Sequence, residues 1–242
     1  MKKTLLGGVA ALAISAGAIA PASAQGPWHG FYVGGHVGYG EAFYDGVFNN
    51  GGGAPVNQSF NDLDIEGIAG GIHGGFNYQF DSSSGMDFVV GIEGDVMFTD
   101  WNDSEFFGAP TTAVGSEQGI TGDVDILATI RGRLGVAMDQ WLFYVTGGIA
   151  FADADAGLFY SGDTVTINFD EIGGVVGGGV EWAFSETFSF RGEVLYYIFD
   201  DRTNTAAAQP ISDAGDFVEF EDAYVVRAGV SIKLDQLFGG GS

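Results

Sequence analysis

The stretch Tyr224-Val225-Val226-Arg227-Ala228-Gly229-Val230-Ser231-Ile232-Lys233-Leu234, near the end of the 242-residue chain, decides the fold class. Even positions carry Tyr224, Val226, Ala228, Val230, Ile232 and Leu234, whereas odd positions carry Val225, Arg227, Gly229, Ser231 and Lys233. Successive side chains of a strand point to opposite faces, so one face here is apolar and the other bears two full charges. Such a strand belongs either at the surface of a soluble protein or in a transmembrane barrel, apolar towards lipid and polar towards the lumen. The rest of the chain chooses between them.

Period-two alternation recurs in the segments Trp28–Tyr39, Ile65–Phe80, Asp87–Thr99, Val124–Ala137, Trp141–Ala152, Ile172–Phe184 and Phe188–Phe199, and then in Ala223–Leu234. Their connections alternate in length. Short ones lie at Asp81–Gly85, Met138–Gln140 and Ser185–Thr187. Long ones lie at Gly40–Asp64, Asp100–Asp123, Asp153–Glu171 and Asp200–Asp222. Strict short-long alternation over an even number of strands predicts an all-β fold: an eight-stranded, antiparallel, up-and-down transmembrane β-barrel with short periplasmic turns and long outer loops. Aromatic residues gather at both ends of the apolar parity, among them Phe80, Phe88, Trp141 and Trp182 near the short turns and Tyr39, Phe98, Tyr196 and Tyr224 near the long loops. Two aromatic girdles flanking an apolar band mark the two bilayer interfaces.

The opposite parity is balanced in sign. Glu93, Asp95, Asp125, Glu181 and Glu193 share it with Arg131, Arg133, Arg191, Arg227 and Lys233. An enclosed lumen needs that balance, because an unpaired charge away from water is costly. These residues are therefore the expected structural site, a charge network that closes the lumen. Glu181 and Arg191 each lie five residues from Glu186, so the turn there sets them opposite one another. A directly opposed pair of this kind contributes about 0.2–1 kcal/mol.

The N-terminus reads as a secretory signal peptide over residues 1–24. Lys2 and Lys3 precede the apolar run Leu5–Ala20, and Ala22-Ser23-Ala24 is a small-x-small cleavage site before Gln25. Its removal takes the formal charge from −24 to −26. Residues 25–234 form the barrel and 235–242 a C-terminal tail. Cysteine is absent, so disulfides and thiolate metal sites are excluded. A chain this acidic does not bind nucleic acid by neutralising phosphates.

Three further stretches resemble a known family. Trp28-His29-Gly30-Phe31-Tyr32-Val33-Gly34-Gly35-His36-Val37-Gly38-Tyr39-Gly40 resembles the first strand of the alphaproteobacterial Omp25/Omp31-type outer-membrane proteins, within the OmpA-like eight-stranded barrel superfamily. RGRLGVAMDQWLFYVTGGIAFA, from Arg131, resembles the central hairpin of that family, and VGGGVEWAFSETFSFRGEVLYYIFD, from Val176, its penultimate one. The resemblance spans the whole mature chain, Gln25 to Ser242. It implies a surface protein of the bacterial outer membrane with a structural or surface-antigen role and no catalytic residues. Arg227, Gly229, Ile232 and Leu234 also resemble the C-terminal signal read by the barrel assembly machinery. Family chains commonly stop on a terminal Phe, whereas this one continues from Asp235 to Ser242.

Other constellations have plainer readings. Gly173-Gly174-Val175-Val176-Gly177-Gly178 lacks the spacing and following helix of a nucleotide loop, and reads as glycines in a curved strand. His36 and His73 fall on the lumen parity, where they read as polar filling rather than as metal or haem ligands. No cofactor is expected, and no arrangement marks an enzyme. Most of the 32 acidic residues fall in the long loops; the plainer reading is a solvated surface that resists aggregation, and the functional one is divalent-cation bridging to lipopolysaccharide, the expected partner beside outer-membrane lipid itself. The expected function is structural, contributing to envelope integrity. The alternatives are a small porin passing ions or small solutes, and surface binding of haem or a host factor.

Overall fold

The computed structural model describes residues 26–49, 57–83, 85–107, 118–160, 163–204 and 217–235. Among them are eight strands: β1 (Gly30–Asn49), β2 (Asn57–Phe80), β3 (Asp87–Phe107), β4 (Gln118–Met138), β5 (Trp141–Tyr160), β6 (Asp163–Ala183), β7 (Phe188–Asn204) and β8 (Phe217–Lys233). Each pairs antiparallel with its sequence neighbour, and β8 closes on β1, so the sheet has no free edge. In lipid a closed barrel satisfies every backbone donor and acceptor internally.

The short turns are set by local chemistry. Met138 pairs with Trp141 across Asp139-Gln140, and Asp139 takes a φ of 51°, a conformation that aspartate tolerates better than most residues. Gly85, at φ 78°, serves the β2–β3 turn. In the β6–β7 turn, the Phe188 amide donates to Ser185 Oγ at 2.9 Å.

The outer face carries the apolar parity. Ile68 and Ile72 are each 67% exposed and Leu134 58%. A continuous belt of such residues is stable against lipid and not against water. Inward, bulky side chains fit because their neighbours are glycines. A Cβ at Gly75 would lie 2.6 Å from Tyr32 Oη, and one at Gly179 would lie 2.5 Å from Tyr144 Oη.

The structure departs from the sequence reading in three ways. First, the strands run well into the expected long loops: β1 continues to Asn49 and β2 begins at Asn57. Second, register shifts fall at the outer ends of the strands, between Phe98 and Trp101, Val124 and Ile126, and Ile198 and Asp201. A bulge adds a residue to one strand and so reverses which parity faces inward beyond it. Val124, expected towards lipid, is consequently buried inside with Trp101, and Asp125 sits exposed on the bulge itself. Third, the lumen is not polar throughout. Towards the outer end it is packed by Met97, Trp101, Leu127, Leu195, Tyr197, Val225 and their neighbours. Towards the short turns it is packed by Trp28, Val89, Ala137, Leu142, Tyr144 and Ala183. The charges occupy the layer between.

β8 ends at Lys233, so Leu234 lies just past the strand. The expected signal peptide, 1–24, and the tail beyond Asp235 lie outside the described residues.

Candidate functional site

The middle layer of the lumen is built by inward positions of β3, β4, β6, β7 and β8, with Tyr32 of β1 and Tyr144 of β5 filling between them. Glu93 is its hub. Glu93 Oε1 lies 2.5 Å from Arg131 Nη2 and 3.9 Å from Arg227 Nη2, and Oε2 lies 2.8 Å from Arg191 Nη2 and 3.9 Å from Arg133 Nη1. Tyr32 Oη donates to the same carboxylate at 2.6 Å. Asp95 receives Arg131 at 3.0 Å and Arg227 at 2.6 Å, and Thr129 Oγ1 donates to it at 3.0 Å. Glu193 receives Arg131 at 3.0 Å and Arg227 at 2.5 Å, together with the Tyr144 hydroxyl at 3.0 Å. Glu181 is held by Arg133 and accepts from Ser189 at 2.9 Å. The Arg133 guanidinium also stacks on Tyr144, 3.6 Å from the ring centre, which adds a cation–π contact.

The ion-paired arginine, glutamate and aspartate side chains are at most 3% exposed. Arg131, Arg133, Arg191 and Arg227 stand against Glu93, Asp95, Glu181 and Glu193, so the formal charges of the layer cancel. Many of the contacts cross the lumen rather than run along the sheet: β4 to β7 through Arg131–Glu193, β7 to β3 through Arg191–Glu93, and β8 to β3 through Arg227–Asp95. The layer ties non-adjacent walls together where backbone hydrogen bonds cannot reach.

Two of the sequence candidates lie elsewhere. Asp125 is exposed at the β4 bulge, because the extra residue turns it out of the inward row. Lys233 is at the rim by the short turns, where Nζ donates to the Pro27 carbonyl at 2.5 Å. Glu181 and Arg191 are direct register partners, as the turn arithmetic requires. Among the described residues, however, their ion pairs go elsewhere: Glu181 to Arg133, and Arg191 to Glu93 and, at 4.0 Å, Glu193. Arg131 and Arg227, by contrast, do pair with their cross-strand register partners, Glu93 and Glu193.

Sequence reasoning also left Tyr32, Thr129, Ser189 and Ser231 out of the site. All share the inward parity of a charged neighbour two residues away or across the sheet, which is the signal that could have found them.

Residues 9–231 match the family described as the outer membrane protein β-barrel domain. The chain belongs to that family. Among curated members of the outer-membrane barrel group, it is 26% identical over 216 residues to the 31 kDa outer-membrane immunogenic protein of Brucella melitensis biotype 1, covering 86% of this chain and 84% of the relative. It is 27% identical over 215 residues to the 22 kDa outer membrane protein of Rhizobium leguminosarum bv. viciae, covering 89% and 82%. The chain is thus an outer-membrane barrel of the alphaproteobacterial Omp25/Omp31 type. The crystal structure of the outer membrane protein OprG from Pseudomonas aeruginosa shares the barrel fold, with a TM-score of 0.50 at 12% identity over 88% of this chain and 99% of that one.

Proposed function

We propose that this protein is a structural barrel of the outer membrane, contributing to envelope integrity and presenting anionic loops at the cell surface. One observation carries the reading: among the described side chains the lumen is filled by an apolar layer at each end and a charge-balanced layer between them. An eight-stranded interior is just wide enough for side chains to fill. The Brucella relative's name, an immunogenic protein, fits a surface-exposed role here as well.

The proposal includes no enzyme activity. Ser231 Oγ lies 2.9 Å from His73 Nε2, the spacing of a nucleophile and its base. Yet Ser231 is 1% exposed and its oxygen also faces Glu181 at 3.3 Å, so no substrate reaches it. In its surroundings the protein would meet lipid along the apolar belt. Its acidic loops would meet lipopolysaccharide through divalent cations, and the assembly machinery would read Arg227, Gly229, Ile232 and, beyond the strand end, Leu234.

Purified protein in a planar bilayer tests the proposal. The expected result is small, infrequent conductance. A steady, large, ohmic current would overturn the structural reading and favour a porin, and cation selectivity weakening at high salt would then locate its origin in the acidic mouths.

A further inference from the structure

Beside the ion network lies a row of polar side chains that the charges do not explain. Arg227 Nη1 is 3.2 Å from His36 Nε2. His36 Nδ1 is 3.2 Å from His73 Nδ1. His73 Nε2 is 2.9 Å from Ser231 Oγ, which is 3.3 Å from Glu181 Oε1. The imidazoles are 7% and 4% exposed and stack at 5.5 Å with 22° between their planes. Glycine makes their space: a Cβ at Gly34 would lie 2.5 Å from His73 Nε2, and one at Gly71 would lie 2.8 Å from His36 Nε2.

The two ends of this row fix every proton in it. A guanidinium only donates and a carboxylate only accepts. His36 Nε2 must therefore be bare to accept from Arg227, which puts the His36 proton on Nδ1. That proton is donated to His73 Nδ1, which must be bare, so His73 carries its proton on Nε2. His73 then donates to Ser231, and the Ser231 hydroxyl donates to Glu181. One proton fills each link and none is left over.

We propose that His36, His73 and Ser231 form a one-way hydrogen-bond relay, with both rings neutral and in opposite tautomers, that latches the Asp95–Glu193–Arg227 end of the ion network to the Glu181–Arg133 end and that acid unlatches. A second proton on His36 sets two donors, its own Nε2–H and the Arg227 N–H, against each other. A second proton on His73 does the same at the Nδ1–Nδ1 contact. Either one also adds a positive charge to a layer whose charges already cancel. The charged and titratable groups facing the pair are Tyr32 from β1, Glu93 and Asp95 from β3, Glu181 from β6, Arg191 and Glu193 from β7, and Arg227 from β8. Every carboxylate among them is already engaged by arginine, so none is free to compensate the added charge.

Ring-nitrogen NMR of the full-length mature barrel in micelles, with labelled histidine, tests the assignment directly at pH 7.5. The expected result is a protonated Nδ1 on His36 and a protonated Nε2 on His73. A doubly protonated ring, or the same tautomer on both, overturns the proposal. Lowering the pH then tests the latch. The unfolding midpoint, read as the temperature at which fast gel migration is lost, is expected to fall by on the order of 5 °C over the interval in which either ring gains its second proton. His29→Gln, outside the relay, should keep that fall, whereas His36→Gln with His73→Gln should lose it. Rings that titrate without a fall in midpoint, or a double variant that keeps the fall, overturn the proposal. Should the double variant not fold, the NMR assignment on the native protein still decides.

Discussion

Arg191→Ala separates the cross-lumen network from the simpler picture of neighbouring strands paired by charge. Arg191 faces Glu181 in register, but its guanidinium lies 2.8 Å from Glu93 Oε2 and 3.3 Å from Tyr144 Oη. At 2.8 Å the direct attraction is about 6 kcal/mol at an effective dielectric of about 20. Glu93 keeps Arg131 at 2.5 Å, and both groups regain some hydration when the pair is broken, so the net loss is smaller. Removing one partner of a buried pair costs about 3–5 kcal/mol, and Arg191→Ala is expected near the lower end. Glu93→Gln in the Arg191→Ala background restores charge balance, and the coupling between the two changes should be about 2–4 kcal/mol. Glu181→Gln combined with Arg191→Ala should show coupling below about 1 kcal/mol, the scale of an ordinary cross-strand pair. Urea unfolding of the barrel in lipid vesicles, followed by loss of fast gel migration and by tryptophan fluorescence, measures all of these. A coupling to Glu181 larger than the coupling to Glu93 would refute the assignment of the network across the lumen.

Three further changes probe the packing around that layer. Gly177→Ala would put a Cβ 2.3 Å from the Val194 carbonyl oxygen, a backbone atom that cannot step aside, and should cost about 1–3 kcal/mol in the same urea assay, whereas Gly174→Ala meets nothing within 4 Å and should change stability by less than about 1 kcal/mol. Trp28→Ala empties the apolar layer near the short turns, where Trp28 is 5% exposed, and should lower stability by about 3 kcal/mol in urea unfolding; a loss below about 1 kcal/mol would mean that this segment does not seal the barrel.

Period-two alternation was sufficient to place the strands, to separate the lipid face from the lumen face, and to set Glu181 opposite Arg191. Each of these depends only on neighbours along the chain or across one tight turn, where geometry follows directly from sequence distance. The same parity rule put Glu93, Asp95, Arg131, Arg133, Arg191, Glu193 and Arg227 indoors. It failed for Asp125 and Val124, because a bulge reverses parity at the cost of a single residue and leaves no mark in a hydrophobic pattern. It also failed for Lys233, whose position at the strand end puts a correctly facing side chain at the rim rather than in the network. Arg131–Glu93 and Arg227–Glu193 are register partners on adjacent strands, but the pairings that cross the lumen were decided only by closure of the sheet. Arg191 and Glu93 are 98 residues apart and on strands that never pair. The His36–His73–Ser231 row likewise joins β1, β2 and β8, brought together because the last strand returns to the first. The cross-lumen pairs are set by distance across the barrel, and that distance exists only once the barrel is closed.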